Sequence, residues 1–222
     1  MTHLADINPL LFVPGDRLSR EEFIELWEKM PDLKFAELID GVVYMPSPLS
    51  SEHGDRDHLA QRWIGRYEDH TPVCRASANS SWLMRDSMPQ PDLALRILTA
   101  FGGRTTVLGG LNDGVPELIV EICGTSRVID LGPKLSLYER AGVDEYVALL
   151  VSEQRVEWRI LTAGSYRLHR SDEGVFRSRV FPGLWLDEAA FWHYDLQRLY
   201  AVLDKGLRSE EHATFLKERM RT

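Results

Sequence analysis

The sequence predicts a fold of the α/β class, of the mixed α+β kind, in which helices and strands both contribute to the core. Residues 52–69 carry apolar side chains at helical spacing, residues 116–123 form an apolar run of strand length, and residues 145–151 form a second such run. A chain of 222 residues is long enough to bury the core of one substantial domain. We therefore expect a single domain over residues 1–190 with its core at 52–151, followed by a helical extension at 191–222.

Composition excludes several classes of protein. The formal net charge of −8 argues against a histone-like or polybasic binder, so a nucleic-acid contact would need a local basic surface. Cys74 and Cys123 both lie in predicted strands, and we expect free thiols in a reducing compartment, with the cytoplasm as the default location. No apolar run approaches the roughly 20 residues that span a bilayer, and the N-terminus lacks the apolar core of a signal peptide. We expect no membrane contact.

The N-terminal region is predicted to be irregular over residues 1–18 and then to form a helix over 20–30. Ser19 and Glu22 have the spacing of a capping box, and Pro31 ends the helix. Residues 34–39 and 42–45 are short strands around the turn-forming pair Asp40-Gly41, which predicts a hairpin. Glu37 in this hairpin is either a solvated strand residue or a member of a site.

A loop at Pro46-Ser47-Pro48 leads to a helix over about 52–69. The charged face of this helix carries three arginines that could meet phosphates or could simply be solvated: Arg56, Arg62 and Arg66. His53, near the start of the helix, is a cap, a surface residue or a catalytic residue.

Three strands are predicted after this helix, at residues 73–77, 80–85 and 92–97. In the last of them the apolar side chains alternate with Asp92, Ala94 and Arg96. The glycine-rich stretch 99–114 lacks the order of a phosphate-binding fingerprint, and we expect a flexible excursion without chemistry.

The run Pro116 to Cys123 is apolar on both faces around Glu121, as in a strand at the centre of a covered sheet. An ionised carboxylate there is costly unless it is paired or bound to a metal. Glu121 therefore needs a partner. Either Glu121 lies at the end of a strand and forms a salt bridge with an arginine, or it belongs to a functional site.

A helix is predicted between Gly132-Pro133 and Gly142, with Lys134, Tyr138 and Ala141 on one side because residues three and four apart are neighbours. Further strands are expected at 155–161, 166–169 and 175–180, followed by an apolar closing segment at 181–186. Two helices end the chain, one stopped by Gly206 and one capped by Ser209. Their apolar stripe indicates core packing or, alternatively, a homodimer contact.

Asp92 and Glu121 lie on strands that are neighbours in order, so their carboxylates converge if the strands pair. Two hard oxygen ligands, the backbone carbonyl of Ile122 and waters would suit an octahedral Mg²⁺ or Mn²⁺. A nearby lysine would complete a hydrolytic arrangement, since an ammonium orients water or offsets developing negative charge.

An ordered set of motifs resembles the Uma-two family of putative restriction endonucleases, a branch of the PD-(D/E)xK phosphodiesterase superfamily. The set is carried by residues 35–190: the Glu37 to Gly41 hairpin, the approach from Pro48 to His53, Pro91-Asp92, Glu121-Ile122-Cys123, Asp130, Lys134, Tyr138, Ala141 to Tyr146, and Phe181-Pro182-Gly183. In one departure, Cys123 stands where the lysine of the superfamily's Glu-x-Lys element would be. A thiol supplies no fixed cation.

The resemblance implies a restriction-endonuclease-like core, which is a mixed β-sheet flanked by helices, with Asp92 and Glu121 as ligands of Mg²⁺ or Mn²⁺. It also implies that Lys134, presented by the following helix, replaces the missing lysine, unless Lys134 is a surface residue. Glu37, His53 and Tyr138 match family positions and are expected as further site members. The expected function is metal-dependent endonuclease activity on DNA. The alternative is a nuclease-like fold without turnover that binds nucleic acid or protein, which the net acidity, Cys123 and the lack of a separate DNA-reading domain favour.

Overall fold

The computed structural model describes residues 10–45 and 50–221. The predicted loop at Pro46-Ser47-Pro48 and the first nine residues of the predicted irregular segment lie outside that range. The helices, in chain order, are α1 (Arg20–Glu28), α2 (Ser51–Asp69), α3 (Arg127–Ile129), α4 (Leu135–Ala141), α5 (Glu188–Trp192), α6 (Leu196–Leu207) and α7 (Glu210–Arg219). The strands are β1 (Glu37–Ile39), β2 (Val42–Tyr44), β3 (Cys74–Ala78), β4 (Trp82–Leu83), β5 (Leu93–Ile97), β6 (Thr106–Leu108), β7 (Leu111–Asp113), β8 (Leu118–Cys123), β9 (Glu145–Leu150), β10 (Arg155–Thr162), β11 (Ser165–His169), β12 (Val175–Arg177) and β13 (Trp185–Asp187).

A six-stranded sheet forms the centre of the fold, in the order β11-β10-β9-β8-β5-β3. Strands β8 and β9 are parallel, and the other neighbouring pairs are antiparallel, so the sheet is mixed as predicted. Strand β8 lies inside this sheet and all six of its residues are buried. The two-sided apolar run therefore takes the central position that its pattern predicts.

The two faces of the sheet are covered by different elements. Leu95 and Val120 pack with Trp63 of α2 on one face. Ala94 and Ile119 pack with Leu137 of α4 on the other. This division follows the alternation of side chains along each strand, and it sends Glu121 to the face covered by α4.

The N-terminal elements agree with the prediction in detail. Ser19 and Glu22 form the capping box of α1, with both reciprocal hydrogen bonds present. Strands β1 and β2 form an antiparallel hairpin, and Asp40 and Gly41 take φ angles of 51° and 75°. Two consecutive left-handed residues are what a type I′ turn needs.

The glycine-rich stretch 99–114 is more ordered than predicted. Strands β6 and β7 pair around Gly109 and Gly110, whose φ angles are 59° and 84°. With β4 they make a separate three-stranded sheet. Only Trp82 and Leu83 of the predicted strand at 80–85 therefore lie in a strand, and that strand is not part of the central sheet. The prediction of a flexible excursion was wrong because a Gly-Gly pair between two short apolar segments is itself a hairpin signal.

The helical segment after β8 begins earlier than predicted. It starts at Arg127, passes through a π-helical turn at Asp130–Lys134 that contains Pro133, and ends at Ala141 before Gly142. Pro133 therefore lies inside the helix rather than in its first turn. The wider π turn accommodates a residue that has no N–H to donate, and such turns are common at functional sites.

The C-terminal helices pack into the main core. Leu199, Leu203 and Phe215 belong to the same buried cluster as the central sheet, in agreement with core packing of the predicted apolar stripe. Gly206 does not stop α6 as predicted but lies within it. A Cβ at this position would be 2.3 Å from the carbonyl oxygen of Gly183, so the glycine permits a close approach of the two segments. The short helix α5 was not predicted.

The arginines of α2 are neither free for phosphates nor simply solvated. Arg66 makes two hydrogen bonds to Asp204 of α6, at 2.7 and 2.8 Å. Arg56 donates to the carbonyl oxygen of Phe191, and Arg62 lies over the ring of Tyr200. These side chains join α2 to the C-terminal helices.

Both cysteines are buried and free, as predicted. Within residues 10–45 and 50–221, no helix is both long enough and apolar enough to cross a bilayer.

Candidate active site

Asp92 and Glu121 come together where β5 pairs with β8. Asp92 immediately precedes β5, and the next residue, Leu93, lies opposite Val120. The N–H of Ile122 donates to Oδ2 of Asp92 at 2.6 Å, and the N–H of Asp92 lies 3.3 Å from Oε2 of Glu121. The register of one antiparallel strand pair therefore places both carboxyl groups at the same point of the sheet.

Lys134 reaches this point from the π turn. Its side chain is buried, and Nζ lies 2.8 Å from Oε1 of Glu121 and 3.1 Å from Oε1 of Glu37. Lys134 is only 4% exposed, so the alternative that it is a surface lysine is excluded.

Glu37 joins the same cluster from the N-terminal hairpin. Its Oε1 accepts a hydrogen bond of 2.7 Å from the N–H of Gln90, in addition to the contact with Lys134. The side chain is 17% exposed, so Glu37 is not a solvated strand residue. The hairpin brings a carboxylate that is 84 positions away in the sequence from Glu121 onto the same ammonium.

Tyr138 lies one helical turn after Lys134 and faces the same side, as its i, i+4 spacing predicts. Its hydroxyl donates to Oε1 of Glu121 at 2.8 Å. Glu121 Oε1 therefore receives hydrogen bonds from both Lys134 and Tyr138, and its carboxyl plane is held in place by two donors on one helix.

Asp130 is the member of the cluster that the sequence analysis did not assign to the site. It is 2% exposed, and its Oδ1 lies 3.8 Å from Nζ of Lys134. Ser126 Oγ donates to its Oδ2 at 2.5 Å. The i, i+4 spacing from Asp130 to Lys134 was the available signal, but the expected helix start at Pro133 concealed it.

His53 lies in the first turn of α2 and is 5% exposed. Its Nδ1 is buried without a hydrogen-bond partner among the described residues, and a Cβ on Gly124 would lie 3.3 Å from this atom. Burial lowers the pKa of His53, and the charge of Asp57 opposes this only in part. A neutral imidazole therefore borders the site, with its buried Nδ1 beside Gly124.

All of these residues except Tyr138 line one cavity with a volume of about 350 Å³. Its lining consists of Phe35, Glu37, Tyr44, Met45, His53, Asp57, Asn79, Gln90, Asp92, Glu121, Thr125, Ser126, Ile129, Asp130 and Lys134. The cavity lies between the N-terminal hairpin, the start of α2 and the helical segment after β8.

The buried carboxyl groups are protonated more readily than ordinary ones. Burial raises the pKa of Asp92 and of Asp130 to about 7, and that of Glu121 to about 8, although Lys134 lowers all three. Burial alone would lower the pKa of Lys134, but the surrounding carboxylates raise it well above its ordinary value. Four carboxyl groups face one ammonium, so ionisation of all four would leave an excess of negative charge that a cation would relieve.

The donor atoms suit a hard divalent cation. The hydrogen bond from Ile122 uses only Oδ2 of Asp92, which leaves Oδ1 for a ligand. The Ile122 carbonyl accepts a 2.9 Å bond from the N–H of Gly124, and a carbonyl has a second lone pair. In the described part of the chain no three His, Cys, Asp or Glu residues are grouped closely enough to hold an ion alone.

Cys123, which replaces the expected lysine, does not line the cavity. It is 1% exposed and packs with Leu137 and Tyr146, while its Sγ lies 3.7 Å from the carbonyl oxygen of Glu121. The ammonium group of the site therefore comes from Lys134 on the helical segment after β8 and not from a lysine on β8.

Comparisons with known proteins identify a family and a fold. The sequence model of the Uma2 family, described as "Putative restriction endonuclease", matches residues 20–189. A crystal structure described as a putative nuclease from Anabaena variabilis superposes with a TM-score of 0.58 at 13% sequence identity, over 84% of this chain and 99% of that chain. At this identity the likeness shows the fold alone. No curated protein sequence matches the chain.

Proposed function

Because the chain belongs to the Uma2 family of putative restriction endonucleases, we propose that it is a metal-dependent endonuclease that hydrolyses phosphodiester bonds of DNA. The observation that carries the proposal is the convergence of Asp92 and Glu121 on one cavity, with the ammonium of Lys134 2.8 Å from Glu121. Two carboxylates from paired strands and one lysine are the components of metal-assisted phosphodiester hydrolysis.

The metal would be Mg²⁺ or Mn²⁺, held by Asp92, Glu121 and the carbonyl of Ile122. These are hard oxygen donors, which both ions prefer. Either ion would complete its coordination with water and substrate oxygens. When bound, the ion would polarise a phosphoryl oxygen and lower the pKa of a bound water. The raised pKa values of Asp92 and Glu121 support a cation here, since both groups are costly to ionise without one.

Lys134 supplies a fixed positive charge throughout the reaction. Its raised pKa keeps the ammonium protonated at neutral pH, and Glu37 and Glu121 hold it from two sides. An ammonium in this position offsets the charge that develops on phosphate oxygens and orients the attacking water.

Tyr138 and His53 have different roles in this proposal. The hydroxyl of Tyr138, whose pKa is raised by burial and by nearby carboxylates, stays protonated and keeps Glu121 in one orientation. His53, whose pKa is lowered by burial, lines the cavity as a neutral polar group. Asp130 and Glu37 position Lys134.

Plasmid cleavage with Mg²⁺ or Mn²⁺ tests the proposal. We expect activity in the wild type, its loss in Asp92→Ala, and no change in the control Asp172→Ala, whose carboxylate is 71% exposed. Equal activity of the wild type and Asp92→Ala would contradict the proposal. Binding of nucleic acid or protein without turnover under either ion would instead support the alternative of a non-catalytic binding module.

A further inference from the structure

Two chemically different sets of side chains line the cavity, which we name the acidic wall and the apolar wall. The acidic wall consists of Glu37, Asp92, Glu121 and Asp130. The apolar wall consists of Phe35, Tyr44, Met45 and Ile129. Neither the metal nor the reaction at phosphorus uses the apolar wall.

Phe35 is the notable member of the apolar wall because its side chain is 50% exposed. Tyr44 is half-buried, and it lies directly opposite Glu37 in the hairpin, so the two side chains project from the same face of β1 and β2. Both rings line the cavity together with the carboxylates, so they offer flat surfaces on which a base can stack.

The cavity offers little charge with which to hold a polyanion. Among the described residues that line it, Lys134 is the only lysine or arginine, and both Glu121 and Glu37 already pair with it. Inside the cavity, a nucleotide therefore needs a source of affinity besides contacts between basic side chains and phosphate. Stacking of bases on aromatic side chains is such a source and does not depend on sequence.

Building on the proposed function, we propose that the cavity takes one unpaired nucleotide of a DNA strand. Its base packs against Phe35 and Tyr44, and its phosphate faces the acidic wall and the metal. A cavity of about 350 Å³ holds a small ligand rather than a double helix. In a duplex the bases are stacked on one another and reach an aromatic wall only after leaving the helix. Single-stranded or locally unpaired DNA is thus the preferred substrate.

The test measures binding and cleavage with the full chain. Anisotropy of a fluorescein-labelled strand is followed with Ca²⁺, alone and annealed to its complement, and cleavage of both is followed with Mg²⁺. We expect the single strand to bind more tightly and to be cut faster than the duplex. Phe35→Leu keeps an apolar side chain but removes the ring, and should weaken single-strand binding about 5- to 150-fold, the range for loss of one stacked base.

Two further variants sharpen the test. Phe35→Trp retains a stacking surface and should bind as the wild type does. Leu168→Ala removes an apolar side chain that is 61% exposed but does not line the cavity, and should change nothing. Equal or tighter binding of the duplex, or unchanged single-strand binding in Phe35→Leu, would overturn the inference.

The two proposals fail in different ways. If Asp92→Ala cleaves DNA as well as the wild type does, the endonuclease proposal fails, whereas the binding of Phe35→Leu still decides the role of the apolar wall. If the wild type cuts duplex and single strand equally and Phe35→Leu does not differ, the endonuclease proposal survives and the unpaired-nucleotide inference does not.

Discussion

At the scale of single residues, Lys134 balances the buried charge of the site. It lies within 3.8 Å of oxygen atoms of Glu121, Glu37 and Asp130, and it is 4% exposed. A buried charge is tolerable when it is paired, and removal of one partner leaves the others uncompensated. The stability of this part of the fold therefore depends on one ammonium.

We expect Lys134→Met to lower the free energy of unfolding by about 3–5 kcal/mol, the usual cost of breaking a buried ion pair from one side. Denaturant unfolding followed by circular dichroism measures this. The matched control is Lys29→Met, because Lys29 forms a 2.7 Å pair with Glu25 but is 54% exposed. An exposed pair contributes little, so equal losses in the two variants would contradict the role assigned to Lys134.

Glu121 should make stability depend on pH in a definite direction. Its pKa in the folded protein is raised from 4.5 to about 8, mainly by burial, so the folded state binds more protons than the unfolded state between these values. Stability without metal should accordingly fall as the pH rises through this window.

The variant Glu121→Gln cannot ionise at this position and keeps an oxygen that can accept from Tyr138. We expect its free energy of unfolding in EDTA to decline less between pH 5 and pH 8 than that of the wild type. Denaturant titrations at several pH values measure the difference. A parallel decline in both proteins would mean that Glu121 does not carry the effect, while Asp92 and Asp130, with pKa values of about 7, would still contribute to both.

At the scale of elements, two helical glycines have opposite surroundings. Gly65 in α2 has no atom within 4 Å of the position of a Cβ. A Cβ on Gly206 in α6 would lie 2.3 Å from the carbonyl oxygen of Gly183 and 2.9 Å from Trp185. The close contact of α6 with the segment before β13 depends on the absence of a side chain at residue 206.

These surroundings predict opposite effects of the same substitution. Gly65→Ala should raise the free energy of unfolding by about 0.5–1 kcal/mol, because alanine loses less backbone entropy in a helix. Gly206→Ala should lower it by about 1–3 kcal/mol, because the methyl group forces α6 away from its neighbour. Thermal denaturation of the two variants beside the wild type decides the matter, and effects of the same sign would refute the packing described for α6.

The π turn at Asp130–Lys134 is the element that connects fold and site. It carries Asp130 at one end and Lys134 at the other, and both are buried. The rest of the helix then continues as α4 and places Tyr138 beside Glu121. One irregular turn thus sets the position of two ionisable groups.

At the scale of the whole molecule, the net charge of −8 and the acidic cavity predict that divalent cations stabilise the protein. A ligand that binds only the folded state adds about 2.7 kcal/mol at one hundred times its Kd. Because cations compete with protons for Asp92 and Glu121, the stabilisation by Mg²⁺ or Mn²⁺ should be greater at pH 8 than at pH 6.

The rise in Tm with added Mg²⁺ at constant ionic strength measures this effect. Asp92→Ala should abolish the pH-dependent part, whereas Asp172→Ala should keep it. An increase in Tm that is the same in all three proteins at both pH values would indicate only general screening of the net charge.

Much of the fold follows from local patterns in the sequence. The period of apolar residues identifies α2, β5, β8 and β9, since the side of a helix or strand that packs inward must be apolar whatever lies opposite it. Local signals also mark ends, as with the capping box of α1 and the Asp40-Gly41 turn. The mixed sheet and its flanking helices were expected from the resemblance to the family.

The sequence by itself therefore determined which residues are apolar or acidic at which spacing, and from this the strands next to Asp92 and around Glu121 and the shared helix side of Lys134 and Tyr138. The pairing of those two strands was decided by the tertiary structure. Only the tertiary structure decided that Glu37 meets Lys134, that Asp130 joins them and that Phe35 borders the cavity. Local periodicity sets the direction of a side chain within its own element. The partner that the side chain meets depends on how distant elements pack, and this packing depends on the whole chain.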